Sequence, residues 1–378
     1  MRNEAMPITK EPVTPAVEIK NVIKRFGTIT AVDNMNLAIK QGEIFSLLGP
    51  SGCGKTTMLR MVAGFENADH GEIRIQGKVV NDIPPYKREC NLVFQQMALF
   101  PHLTVAENIA FGLRERRRPQ SEIKKKVMEM LDVVNLPGME NRFPHQLSGG
   151  QKQRVALARA IVLNPKVLLL DEPLAALDRR LRKEMQGELR RVQQEVGITF
   201  LYVTHDQKVA LSLSDRIGIM YEGRINQIGT PAEIYETPRT SFVAKFMGGC
   251  NIFSGKATSI NNNHLEVRDE HGLSIRAQKC KDVKLEEVSG ISIHPEMIEI
   301  IPEGHELPSS DSITNTITSK ITDVSYQGDF TELQVLIKST GQKVTVHLNR
   351  RSDNSMSLVK GQEVSIYWDS CHSNLLVG

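Results

Sequence analysis

The sequence predicts an α/β domain built around a parallel sheet, followed by a smaller all-β domain. Three observations carry that prediction. Short apolar runs (EIFSLLG, KVLLLDE, ITFLYVTHD, RIGIMY) recur from Val17 to about residue 236, separated by helical stretches such as 55–64 and 181–196. Such runs, bounded by Gly, Pro or charge, fit strands buried on both faces. A glycine-rich loop joins the first of these runs to the first helix. From about residue 250 the pattern becomes short alternation broken by turns (DEHG, STGQ, VKGQ), as in antiparallel β structure.

In chain order, residues 1–16 read as a polar tail in which Pro7, Pro12 and Pro15 discourage regular structure. Residues 17–240 form the α/β domain, with a more charged, helical subdomain at about 100–160. A junction is expected at 237–250. Residues 250–378 form a small-barrel, OB-like β domain, with strands expected near 264–268, 274–277, 320–324, 332–337, 342–347 and 363–368. Composition agrees with a globular chain of two or three domains: 378 residues, about 40% hydrophobic and 24% charged. Lys plus Arg number 47 and Asp plus Glu 44, a net +3 too small to argue for nucleic acid. The basic clusters 114–118, 124–126 and 179–183 have acidic neighbours and read as solvated helix faces. The aromatics of the β domain (Phe253, Tyr326, Phe330, Tyr367, Trp368) are too sparse for a base-stacking stripe, so no direct nucleic-acid partner is expected. No window approaches the roughly 18–20 apolar residues that cross a bilayer, and the first twenty residues lack the apolar stretch of a secretory leader. Cys53, Cys90, Cys250, Cys280 and Cys371 are widely spaced, as expected of reduced thiols in a cytoplasmic chain.

The strongest local signal is Gly49-Pro50-Ser51-Gly52-Cys53-Gly54-Lys55-Thr56-Thr57, a full G-x-x-x-x-G-K-[ST] match between a buried strand and a helix. Its glycines let backbone N–H groups close on phosphate oxygens, and the helix N-terminus adds partial positive charge. In this chemistry Lys55 reaches the β- and γ-phosphates and the Thr56 hydroxyl ligates Mg²⁺. Downstream, VLLL ends in Asp171-Glu172, two carboxylates delivered to the same rim of the sheet. Asp171 is expected to hold Mg²⁺, and Glu172 to orient and deprotonate the attacking water.

The pentapeptide Leu147-Ser148-Gly149-Gly150-Gln151, upstream of that strand, resembles the signature of the ATP-binding-cassette (ABC) ATPases. The resemblance implies a P-loop NTPase fold with a helical signature subdomain, and a head-to-tail homodimer that encloses two ATP molecules. In such a pair, Ser148, Gly149, Gly150 and Gln151 of one chain complete the site on the other. By the same resemblance, Phe26 stacks on adenine, and Gln95 is the Q-loop glutamine that senses Mg²⁺ and the attacking water. His205 is the switch histidine and Asp178 the D-loop residue that crosses the dimer interface. Ala175 stands where the family usually has serine. The β domain resembles the transport-associated extension of certain bacterial importer ATPases.

Stretches such as PPYKRECNLVFQQMALFPHLTVAENIAFGL and GTPAEIYETP look most like the putrescine/spermidine importer ATPases. That likeness implies an ATPase coupled to solute import through two separate transmembrane permease subunits and a periplasmic or extracellular solute-binding protein. The chain would then be peripheral, on the cytoplasmic side of the inner membrane. Met97, Leu99 and Phe100 are expected to seat a short helix of the permease. Ferric iron, sugars and inorganic anions are served by relatives of the same organisation. A non-transport cassette protein is disfavoured, because the chain has one P-loop and one signature and no long insertion between them.

Overall fold

The computed structural model describes residues 14–175, 177–259, 263–279, 283–305, 314–349 and 358–377. The expected tail up to residue 13, Ala176 and Cys280 lie outside the described residues. The chain divides into two compact units, one ending at Pro231 and one starting at Ala232.

In the first unit the strands are β1 (Val17–Phe26), β2 (Ile29–Ile39), β3 (Ile44–Leu48), β4 (His70–Ile75), β5 (Lys78–Val79), β6 (Cys90–Val93), β7 (Val167–Asp171), β8 (Thr199–Thr204), β9 (Arg216–Tyr221) and β10 (Arg224–Gly229). The helices are α1 (Lys55–Ala63), α2 (Val105–Glu115), α3 (Gln120–Val133), α4 (Gly149–Ile161), α5 (Arg179–Val196) and α6 (Gln207–Leu213). Six strands form one sheet in the order β10-β9-β3-β8-β7-β6, parallel except for β10 at one edge. All four apolar runs of the sequence reading are strands here. Every residue of β3 and β8 is buried, because both faces of this sheet are covered. Val167 and Leu169 face a core shared with Met58, Leu59 and Val62 of α1. Leu168 and Leu170 face the opposite core, built with Met185, Leu189 and Val192 of α5. Helices α2, α3 and α4 form the expected helical subdomain around Ile109, Leu131 and Val155.

A second sheet, order β2-β1-β4-β5, is antiparallel and is absent from the sequence reading. Its signal is broken in β1: Asn21 adopts φ 49° and the register shifts between Ile19 and Val22, so the apolar residues lose their period of two. The inward side chains Val17, Ile19 and Val22 still close over α1.

The second unit begins within α7 (Pro231–Glu236) and continues into α8 (Ser241–Gly248), earlier than the boundary expected near 240. Its strands are β11 (Asn251–Ser254), β12 (Lys256–Ser259), β13 (His264–Arg268), β14 (Ser274–Gln278), β15 (Val288–Ile293), β16 (Glu299–Pro302), β17 (Thr314–Tyr326), β18 (Phe330–Ile337), β19 (Lys343–Asn349), β20 (Glu363–Asp369) and β21 (Asn374–Val377). They pair antiparallel in three sheets, β11-β15-β21, β12-β13-β14 and β16-β20-β17-β18-β19. The six expected strands are all present. Trp368 is 2% exposed, with its indole N–H donating to Ser373 Oγ at 2.9 Å, so it anchors the core and offers no base-stacking face.

Candidate nucleotide-binding site

β3 ends at Leu48 and delivers the loop 49–54 to the rim of the parallel sheet. Two glycines there are dictated by space. A Cβ at Gly49 would lie 2.1 Å from the Met220 carbonyl oxygen, and one at Gly54 would lie 2.1 Å from that of Ala31. Gly54 also holds φ 103° as the residue that caps α1. That cap has no side-chain hydrogen bond, and the first turn of α1 carries no acid. The leading N–H groups of Lys55, Thr56 and Thr57 are therefore uncapped by any side chain, which is the state of an anion-binding helix terminus. Pro50, Ser51 and Gly52 form the partly open outer turn, while Cys53 is buried. Lys55 is 5% exposed, and its ammonium donates to the carbonyls of Gly49 (2.9 Å) and Pro50 (2.8 Å). Burial pushes the Cys53 thiol up, more than the neighbouring Lys55 charge pulls it down.

β7 brings its two carboxylates to the same rim. The Thr56 hydroxyl donates to Asp171 Oδ1 at 3.3 Å. Burial raises the Asp171 pKa; the Thr56 bond opposes this and the Glu172 charge adds to it. A hydroxyl beside a half-buried carboxylate is a hard oxygen set that suits Mg²⁺. Glu172 sits at φ 46°, unusual for a side-chain-bearing residue and costing about 1 kcal/mol or more. Its backbone N–H is held by the Val203 carbonyl at 3.0 Å. This turn aims the Glu172 carboxylate at His205, with Oε1 2.8 Å from Nδ1. His205 follows β8 directly, so two parallel neighbours supply the pair.

The remaining predicted residues lie on other elements. Ser148 caps α4 in a reciprocal box: the Gln151 N–H donates to Ser148 Oγ (3.3 Å), and the Ser148 N–H to Gln151 Oε1 (2.9 Å). Gly149 and Gly150 open the helix; a Cβ on Gly150 would meet Leu181 at 2.9 Å. Asp178 caps α5, accepting from the Leu181 N–H at 2.9 Å. Phe26 ends β1 with 47% exposure, and the Lys24 ammonium lies 5.0 Å from its ring centre. Gln95 is exposed beyond β6, and among the described residues it makes no hydrogen bond to Thr56, Asp171 or Glu172.

These elements were compared with known proteins. The family profile described as "ABC transporter" matches residues 32–175, and one described as "TOBE domain" matches 291–376. A "Spermidine/putrescine import ATP-binding protein PotA" from Rubrobacter xylanophilus is 45% identical over 381 residues, covering 100% of this chain and 96% of that one. The protein of that name from Thermobifida fusca is 47% identical over 371 residues, covering 96% and 94%. The chain belongs to the ABC transporter ATPases. Among solved structures, the ATP-binding cassette MJ0796, a dimer in a post-hydrolysis state bound to ADP and Pi, matches with TM-score 0.50 and 36% identity. It covers 57% of this chain and 98% of its own. The cbiO1 protein from Clostridium perfringens, part of an ABC transporter complex, matches with TM-score 0.55 and 31% identity over 58% of this chain and 90% of its own.

In this ABC ATPase, one chain brings together the P-loop, Asp171, Glu172 and His205. The signature and Asp178 stand on α4 and α5. At the expected apolar seat, Met97, Leu99 and Phe100 are each half-buried. Met97 and Leu99 pack on the cores of the unit, and the Phe100 ring lies tilted by 41° against that of Phe111, with centres 4.6 Å apart. Arg159 of α4 holds this segment inward, donating to the carbonyls of Met97 and Ala98 at 2.9 Å each and covering the Phe100 ring. A groove of about 470 Å³ has Phe65, Tyr86 and Phe94 in its wall. Sequence reasoning missed these aromatics because each stands alone outside any periodic run. Arg159 was also missed, although an arginine between Ala158 and Ala160 on a buried stripe was a usable sign.

Proposed function

We propose that this ATPase energises import of polyamines of the spermidine/putrescine class, acting as a homodimer on two separate permease subunits that receive solute from a binding protein. The observation that carries the reading is the full-length likeness to spermidine/putrescine import ATP-binding proteins, at 45% and 47% identity. The described helices contain none long and apolar enough to cross a membrane, which fits a subunit that docks on permeases from the cytoplasmic side. The groove walled by Phe65, Tyr86 and Phe94 supplies the docking face beside the Q-loop.

The uncapped N–H groups of α1 and the Lys55 ammonium hold the phosphates, and Phe26 offers its exposed ring to adenine. Thr56 and Asp171 would hold Mg²⁺, with Gln95 completing the set, and the ion would neutralise charge on the β- and γ-phosphates. Glu172 orients the attacking water and takes its proton, while His205 fixes the Glu172 carboxylate and reaches the γ-phosphate. Ser148, Gly149, Gly150 and Gln151 of the partner subunit close over the same nucleotide. Hydrolysis then removes the phosphate that joins the two chains, so the pair opens and the permeases shift between two conformations.

The test is Glu172→Gln in the assembled complex. Removing a general base is expected to lower turnover about 10²–10⁴-fold while ATP binding persists; near-normal hydrolysis removes Glu172 from this role. ATPase activity of the wild-type complex should rise with putrescine or spermidine plus binding protein, and indifference to both rejects the polyamine assignment.

A further inference from the structure

Arg182, on the first turn of α5, joins two segments that flank the catalytic pair but are remote in sequence. Its Nη2 donates to the Leu177 carbonyl at 3.0 Å, and its Nη1 donates to Asp206 Oδ2 at 2.8 Å. Leu177 directly precedes Asp178, and Asp206 directly follows His205. The second oxygen of Asp206 accepts from the Val209 N–H at 3.2 Å and caps α6. The carboxylate is thus held from both sides. Glu172, Tyr202, His205, Arg182 and Asp206 share the wall of a cavity of about 90 Å³. Arg182 Nε is buried and has no hydrogen-bond partner among the described residues, so there the side chain is positioned by its two forked contacts.

A planar fork whose two ends reach different segments is a strut, and the flexible ammonium of lysine does not reproduce that geometry. We propose that Arg182 is a positioning residue that couples the D-loop to the switch histidine. When Asp178 engages the second subunit, displacement of the Leu177 carbonyl passes through the guanidinium to Asp206, and from Asp206 to His205 beside Glu172. Turnover is thereby tied to closure of the pair. This rests on the reading above of Glu172, His205 and Asp178.

The experiment is a double-mutant cycle on the assembled complex with Arg182→Met, Asp206→Asn and both together. Active sites are counted with a fluorescent ATP analogue, so that misfolded protein does not pass for a lower kcat. Asp206→Asn keeps an oxygen for the Val209 N–H and removes the charge that Arg182 meets. Each single change is expected to lower kcat by about 10- to 100-fold, the scale of a roughly 1 Å displacement at a reacting centre. KM for ATP should stay within about twofold, because the phosphate loop is untouched. The double variant should be no slower than the slower single one, as for two residues acting as one unit. Full activity in Asp206→Asn, additive losses, or a KM that rises as kcat falls would each overturn the strut. Should Arg182→Met fail to fold, Asp206→Asn alone decides, since only the coupling predicts its loss of kcat at unchanged KM. Glu172→Gln run in parallel separates the two ideas: its continued hydrolysis overturns the catalytic reading, whereas its silence beside a normal Asp206→Asn overturns only the strut.

Discussion

Truncating Phe65 to alanine tests where the permeases dock. Phe65 follows α1 with 56% of its surface exposed, and its ring centre lies 6.0 Å from that of Phe94, itself 41% exposed. A phenylalanine carries roughly 200 Å² of accessible surface, so about 110 Å² of Phe65 is available for a partner to cover. At about 25 cal/mol per Å² this corresponds to ~2.8 kcal/mol, or about 10²-fold in affinity. The assay is co-purification of tagged subunit with its permeases from detergent extract, followed by titration of free subunit onto permease-only nanodiscs. Thermal unfolding of the isolated variant controls for folding, since an exposed ring contributes little to the core. Affinity for the permeases unchanged within about twofold would place the docking face elsewhere. By the same reasoning Met97→Ala should act through stability, because that side chain packs inward.

Two further outcomes follow from the ionisable groups of the site. Asp171 has its pKa raised in the folded chain, chiefly by burial, so its ionised form opposes folding at neutral pH, and that cost is relieved as pH falls through the raised value. Asp171→Asn should therefore raise the Tm of nucleotide-free protein at pH 7 while abolishing Mg²⁺-dependent hydrolysis; an unchanged or lower Tm refutes the burial argument. For the same reason Mg-ATP affinity of the unaltered protein should begin to fall above the ordinary carboxylate range as the solution is acidified, which calorimetric titration reads directly. Cys53, its thiol pushed up by burial, should alkylate slowly at pH 7, faster at higher pH, and more slowly with ATP bound. Peptide mass mapping that finds Cys53 modified in a fully active enzyme would show that the thiol does not border the phosphates.

How much was legible in the sequence depended on whether a residue's reason lies in its neighbours along the chain. The parallel strands were readable because burial on both faces produces apolar runs, as in Val167–Leu170. The phosphate loop was readable because Gly49 and Gly54 admit no Cβ, so the spacing is enforced sterically. The antiparallel sheet escaped because the irregularity at Asn21 splits its alternation into pieces too short to register. Arg159 and Arg182 escaped for a different reason. Each acts on backbone carbonyls (Met97 and Ala98 for one, Leu177 for the other), and a carbonyl leaves no mark in a sequence. The groove aromatics Phe65, Tyr86 and Phe94 come from separate segments and converge only in the folded unit.

The same logic explains why the signature is conspicuous as a string although within a single chain it only caps α4. In the capping box the Ser148 oxygen accepts from Gln151, and the Gln151 carboxamide oxygen accepts from Ser148. Each acceptor thus takes one internal bond, whereas the hydroxyl proton of Ser148 and the amide protons of Gln151 are not used by the box. A helix N-terminus carries partial positive charge and backbone N–H donors left over from the helix, and its natural complement is an anion. The P-loop has the matching property: its helix terminus is uncapped by any side chain, and Lys55 is parked on the carbonyls of Gly49 and Pro50. Two donor-rich surfaces repel unless polyphosphate lies between them. On the proposed reading, nucleotide is the adhesive that holds two copies together, and its cleavage is the event that lets them part.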